Sequence, residues 1–163
     1  MKKITLTLLV VLALASGTRG ETITGITLTD LGAGVTPNAI NNSGQVVGQD
    51  ASGVAFMWDG TAHSLGTLGG SQSCANDIND SGVVAGWANK ANGKKAAFKW
   101  DGSMVNLDPT STIDNVAEAI NSRGDVVGWR QGTSATRSVL WYYDGGWSNL
   151  FGSINTKALG IND

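Results

Sequence analysis

Short apolar runs alternate with polar, glycine-ended turns along this chain, and the alternation recurs. One copy reads Ile40-Asn41-Asn42-Ser43-Gly44-Gln45-Val46-Val47-Gly48, and the next reads Ile78-Asn79-Asp80-Ser81-Gly82-Val83-Val84-Ala85-Gly86-Trp87. A third runs from Ile120-Asn121-Ser122-Arg123-Gly124 to Val126-Val127-Gly128-Trp129, and a fourth opens at Ile161-Asn162-Asp163. The isoleucines lie 38, 42 and 41 residues apart. Each copy predicts a short strand ending in Ile-Asn. A turn follows, in which Asn or Asp bonds its own backbone and Gly takes positive φ. A second strand then carries consecutive valines, the mark of a strand buried on both faces.

A third strand follows in each unit, over Val54 to Trp58, then Ala96 to Trp100, with Ser138 to Tyr142 as the third copy. Asp59-Gly60, Asp101-Gly102 and Asp144-Gly145 are hairpin signals that lead to a fourth strand. The third unit carries one extra residue before its Asp-Gly, and Trp58, Trp100 and Tyr142 are each 42 residues apart. Ser111 to Ala119 hints at a helical turn, but its apolar positions are too few, so it is read as loop plus strand. At the N-terminus, Ile23 to Gly32 reads as the last strand of a unit; at the other end, Ala158 to Asp163 resembles a first strand.

Four antiparallel strands in about 42 residues match one blade of a β-propeller. The expected fold class is therefore all-β, built from propeller-like four-stranded blades. Three full repeats with partial strands at both ends make an incomplete ring, since closure takes roughly four to eight blades. Completion by a homo-oligomer is one consequence of that count.

Composition adds the compartment. Lys2 and Lys3 precede an uncharged apolar run from Ile4 to Ala15, and Ala13-Leu14-Ala15 has the small-residue spacing of a signal-peptidase site. Twelve residues are short of the roughly 20 that span a membrane. The segments expected are a signal peptide over 1–20 and a repeat domain over 21–163, in a secreted, extracellular or periplasmic protein. From Glu21 onward the chain keeps 8 Lys+Arg against 13 Asp+Glu, a formal charge of −5. That balance argues against nucleic acid or an anionic membrane as partner. A single cysteine, Cys74, excludes an intramolecular disulfide framework.

The run Leu65-Gly66-Thr67-Leu68-Gly69-Gly70-Ser71-Gln72-Ser73-Cys74-Ala75-Asn76-Asp77-Ile78-Asn79-Asp80-Ser81-Gly82-Val83-Val84-Ala85-Gly86 resembles the bacterial extracellular HAF repeat, named for a His-Ala-Phe tripeptide. The likeness covers most of the mature chain. In place of the tripeptide stand Val54-Ala55-Phe56, Ala96-Ala97-Phe98 and Ser138-Val139-Leu140, so no histidine role carries over. The resemblance implies an exported, propeller-like protein and lends no defined activity.

Candidate chemistry is sparse. Asp77-x-Asn79-Asp80-x-Gly82 has oxygens at the spacing of a calcium loop. The first copy, Ala39-x-Asn41-Asn42, and the third, Ala119-x-Asn121-Ser122, lack those carboxylates, so the self-capping turn is preferred and no metal or cofactor is expected. His63 and Cys74 would need contact and a third orienting group to act as a catalytic pair. Asp59, Asp101 and Asp144 sit in turns, and Glu118 is the one carboxylate on a less regular segment. Trp58 and Trp100 read as core between units. Trp87 and Trp129 each follow the glycine that ends strand two; they are either packed against the next loop or platforms for a sugar or peptide, and are the candidate ligand-binding residues. The expected function is a secreted, non-enzymatic scaffold or binding module for a glycan or protein. The alternative is a piece of a larger propeller hydrolase or lyase whose catalytic residues lie elsewhere.

Overall fold

The computed structural model describes residues 29–150 and 155–163. The signal peptide expected over 1–20 and most of the N-terminal strand expected at Ile23 to Gly32 lie outside them. The chain divides into two units, 1–33 and 34–163. In the described part of the first, Asp30 Oδ1 accepts the Gly32 N–H at 2.9 Å, closing a local turn.

The second unit is all-β, with no helix among the described residues, and therefore none long and apolar enough to cross a membrane. It holds three four-stranded antiparallel sheets. The first contains β1 (Thr36–Ile40), β2 (Val46–Gln49), β3 (Ala55–Trp58) and β4 (Ala62–Gly66), paired in chain order. The second contains β5 (Gly69–Ile78), β6 (Val84–Lys90), β7 (Lys95–Trp100) and β8 (Met104–Asn106). The third contains β9 (Asn115–Ile120), β10 (Val126–Gln131), β11 (Thr136–Trp141) and β12 (Trp147–Asn149). The segment from Ser111 is loop followed by strand, as expected.

Each sheet packs on its neighbour through its first strand: β5 lies against β1 and β2, and β9 against β5 and β6. The consecutive apolar residues explain this stacking. Val84 packs with Val47, Ala55, Met57 and Leu65 of the first sheet, and Phe98 is fully buried in the same cluster. Its neighbour Ala85 points the other way, into a cluster with Ile120, Val126, Val139 and Trp141 of the third sheet. A central sheet buried on both faces needs apolar residues at both parities of its strand.

The asparagine of Ile-Asn joins the units. Asn79 Oδ1 accepts the N–H groups of Ser81 (3.1 Å) and Val83 (3.0 Å), which shapes its own turn. Its Nδ2 donates to the Asn121 carbonyl at 3.0 Å in the next sheet. Asn41 repeats the pattern: Oδ1 takes Ser43 and Gln45 N–H, while Nδ2 donates to the Asn79 carbonyl at 3.1 Å. Each of these carbonyls also accepts the N–H of the turn glycine, from Gly82 to Asn79 and from Gly124 to Asn121. Gly44, Gly82 and Gly124 have φ of 77°, 81° and 94°, which an L side chain adopts only with strain.

A second glycine is required for space. Every first strand bulges opposite it: Gly48 faces Pro37, Gly86 faces Ala75 and Gly128 faces Ala117, while Asn38, Asn76 and Glu118 are the extra, unpaired residues. A Cβ on Gly48, Gly86 or Gly128 would drive into the carbonyl of Thr36, Cys74 or Val116. This glycine does not end the strand, as its sequence position suggested. The ladder continues to Gln49, Lys90 and Gln131, because only backbone stands opposite the glycine.

The register also corrects the alignment of the third unit. Val46 pairs with Trp58 and Val84 with Trp100, but Val126 pairs with Trp141 rather than Tyr142. Val139 thus takes the place of Phe56 and Phe98, and the His-Ala-Phe equivalent becomes Arg137-Ser138-Val139. The additional length lies in the hairpin from Tyr142 to Gly146, where the other units have only Asp59 to Thr61 and Asp101 to Ser103. Residues 155–163 hold the place a first strand would take. Thr136 N–H donates to Asn155 Oδ1 at 2.8 Å, as Lys95 N–H does to Asp114 Oδ1 at 2.9 Å. Asp163 Oδ1 accepts Ser122 N–H as Asp80 Oδ1 accepts Asn42 N–H, both at 2.9 Å.

Replacing Asn79, which is 7% exposed, removes a cap and a tie together. Asn79→Ala is expected to cost about 2–3 kcal/mol, read from the urea midpoint. Asn79→Asp keeps the acceptor but sets a carboxylate oxygen against the Asn121 carbonyl at a buried site, and should cost at least as much as the alanine change. Gly86→Ala, which meets backbone, should destabilise by roughly 3 kcal/mol or more, whereas alanine at open, exposed surface positions stays within about 0.5 kcal/mol in the same titration.

Candidate functional site

The bulges place one side chain per unit outside its own ladder, where it reaches toward the next unit. Asn38 Nδ2 donates to the Ala75 carbonyl at 2.8 Å, and Asn76 Nδ2 to the Ala117 carbonyl at 2.7 Å. The third member is Glu118, which as a carboxylate cannot donate onward. It accepts instead, from Trp129 Nε1 at 2.7 Å through Oε1 and from Asn76 Nδ2 at 3.4 Å through Oε2. The asparagine ladder therefore ends on a half-buried carboxylate.

Both candidate tryptophans stand beside this column. They occupy equivalent places inside their strands, Trp87 across from Cys74 and Trp129 across from Val116. Each is half-buried, and each ring carries an ammonium group. Lys95 Nζ lies 3.7 Å from the centroid of Trp87, and Lys157 Nζ lies 4.2 Å from that of Trp129. An ammonium over an indole face is attracted by the ring quadrupole. The two lysines come from different places, Lys95 from the neighbouring strand and Lys157 from the terminal segment. In the first unit Gln49 fills the same position and bonds the carbonyls of Gly53 and Ser73 at 3.1 and 3.0 Å.

Cys74 completes the group. Its Sγ accepts from Asn38 Nδ2 at 3.2 Å. Burial pushes the thiol above its ordinary value; the Asn38 hydrogen bond and Lys95 oppose that rise, and Glu118 adds to it. A thiol held protonated is a poor nucleophile. The histidine is elsewhere: His63 Nε2 sits 2.9 Å from Asp59 Oδ1 and 2.9 Å from Thr61 Oγ1 on an exposed hairpin. His63 and Cys74 have separate partners.

The oxygens of the calcium-like spacing are each aimed at a neighbour's N–H. Asp77 Oδ2 accepts Ile120 N–H at 2.9 Å, and Asp80 takes both the N–H and Nδ2 of Asn42 at 2.9 and 2.7 Å. Among the described residues no three His, Cys, Asp or Glu side chains are grouped to hold a metal ion. Asp101 and Asp144 stay in their hairpin turns. Trp100 packs against the first apolar cluster, while Trp58 lines an open groove between the first two sheets.

Lys95, Lys157 and the bulge column escaped the sequence reading. Asn38 and Asn76 were accessible to it, since each stands two residues before the repeated isoleucine, as does Glu118. The lysines have no repeat-equivalent partner and carry no such signal. No protein-family model, no curated protein and no solved structure matches the chain.

Cys74 should alkylate about tenfold or more slowly in the native chain than in urea, by mass spectrometry after timed iodoacetamide treatment. Its rate should keep rising with pH beyond the point at which a free thiol has levelled off, because burial raises its pKa.

Proposed function

We propose that this chain is an exported, propeller-like repeat protein related to the HAF repeats and acts as a binding module without catalysis. Three like sheets stacked in chain order, with their first strands adjacent, support the blade reading. The observation that carries the binding reading is the pair of equivalent tryptophans, each half-buried and each under a lysine. A partly open indole with an ammonium, a carboxylate and amides beside it offers apolar area and directed polar groups together, the combination that small-ligand and glycan sites use. An acidic surface points to a glycan or extracellular protein as partner rather than nucleic acid.

One observation favours the alternative of a piece of a larger propeller hydrolase or lyase. Glu118 is a carboxylate in the bulge column that the other units do not share, and it is oriented by Trp129 and Asn76. A single oriented carboxylate supplies one of the two groups that glycoside hydrolysis needs. In this reading the second comes from outside the chain.

Binding of the mature chain to a panel of immobilised neutral, acidic and amino glycans and extracellular proteins tests the module. Trp87→Ala and Trp129→Ala should each lower affinity for the captured ligand about tenfold, equivalent to roughly 1.4 kcal/mol. Thermal melting of the same variants separates lost binding from lost fold. Unchanged affinity in both variants would sink the tryptophan site, and turnover of any captured glycan that Glu118→Gln abolishes would favour the hydrolase.

A further inference from the structure

The stacking of the first two sheets leaves a groove of about 680 Å³ at the turn end of their strands. Ser43 and Gln45 line it from the β1–β2 turn, Trp58 and Asp59 from the end of β3, and Asp80 and Ser81 from the β5–β6 turn. None of these belongs to the tryptophan and bulge column described above.

Three of these residues differ from their counterparts in the next gap. Gln45 corresponds to Val83 in the second unit, and Asp80 to Ser122 in the third. Between the second and third sheets the same positions therefore hold Val83 and Ser122, and Arg123 stands in the place of Ser81. Trp58 and Asp59 recur as Trp100 and Asp101. The first gap thus has an amide and a carboxylate where the second has an apolar, cationic rim; Asp80 also ties its turn to Asn42, as Asp163 does to Ser122.

The polar groups are held. Gln45 Oε1 accepts from Asn41 Nδ2 at 2.7 Å, and Asn42 fixes the Asp80 carboxylate through two hydrogen bonds. Asp59 is bonded by His63 and Thr61, which hold its carboxyl below the ordinary range and so ionised at neutral pH. Two oriented carboxylates and an indole line the groove, and among the described residues no lysine or arginine does. A protonated amine satisfies both features, by charge with Asp59 and Asp80 and by cation–π attraction with Trp58. Ser43, Ser81 and Gln45 add hydroxyl and amide groups that match sugar hydroxyls.

From this geometry we infer that the groove between the first two sheets binds an amino sugar with a free, protonated amine, within a glycan chain. The inference rests on the binding-module reading and gives it a ligand class and a second site. Isothermal titration of the mature chain with a glucosamine oligomer, below the amine's own pKa, should show binding that weakens with added salt. The N-acetylated oligomer, which has lost the charge, should bind at least about tenfold more weakly. Asp59→Asn removes a charge from an exposed turn and should cut affinity about tenfold with the melting temperature unchanged. Gln45→Val with Asp80→Ser, which copies the second gap at those two positions, should abolish binding, with thermal melting separating lost binding from the lost tie to Asn42.

Equal affinity for the two oligomers would overturn the amine. Full affinity in Asp59→Asn and in the double variant would overturn the groove. Oligolysine bound as tightly as the amino sugar would overturn the sugar and indicate a peptide. Capture of a different ligand through Trp87 and Trp129, with no response to glucosamine oligomers, would end this inference and leave the module standing. An absence of any ligand in both experiments would end both.

Discussion

The side-chain amide of one asparagine per unit is the constraint on which this structure depends. Its oxygen accepts from the turn that follows it; in the first two units its nitrogen donates to the same asparagine one unit on, whereas Asn121 Nδ2 reaches Asp125 Oδ2 of its own turn. In Asn41 and Asn79 both ends of the amide are committed. The receiving carbonyl is also shared, between the previous asparagine and its own turn glycine. No other side chain of that size is donor and acceptor at once with the two functions on opposite branches. Turn shape and stacking distance are therefore set by one group, and an error in either is felt in the other.

Bulge and glycine form a second coupled pair. The bulge turns Asn38 and Asn76 out of the ladder so that each reaches the next sheet, and turns out Glu118, which accepts from Asn76 of the sheet before it and from Trp129 of its own. Only glycine leaves room for the first-strand carbonyl opposite it. Side chains that bond between sheets, with Ser73 Oγ accepting Ala55 N–H at 2.8 Å and Asn115 Oδ1 accepting Ala97 N–H at 2.6 Å, tie the first strand of one sheet to the third strand of the sheet before it. The stack is consequently tied by directed hydrogen bonds as well as by its apolar clusters, which fits a chain with many alanines and few large core residues.

Where the units differ, the differences collect at surfaces between sheets. Glu118 interrupts a ladder of asparagines, Gln45 and Asp80 change the rim of the first gap, and a longer hairpin exposes Tyr142 and Tyr143 in the third sheet. A repeat fold tolerates such departures because each unit's core is closed by its immediate neighbours. Side chains at a rim can then vary without disturbing the ladder beneath it.

By itself the sequence determined the repeat, its period, the order of four short antiparallel strands and the turns closed by glycine. These depend on local rules: consecutive apolar residues, Asn or Asp before Gly, and positive φ at Gly44, Gly82 and Gly124. It marked Trp87 and Trp129 as equivalent for the same reason. Tertiary structure alone decided that Val126 pairs with Trp141, since register answers to the bulge and the buried face and not to counting residues. It also decided that Gly86 lies within a strand, that Lys95 and Lys157 cover the tryptophans, and that Gln45, Trp58, Asp59 and Asp80 share one groove. Those juxtapositions join residues of different units, and the stacking that creates them has no local signature in the chain.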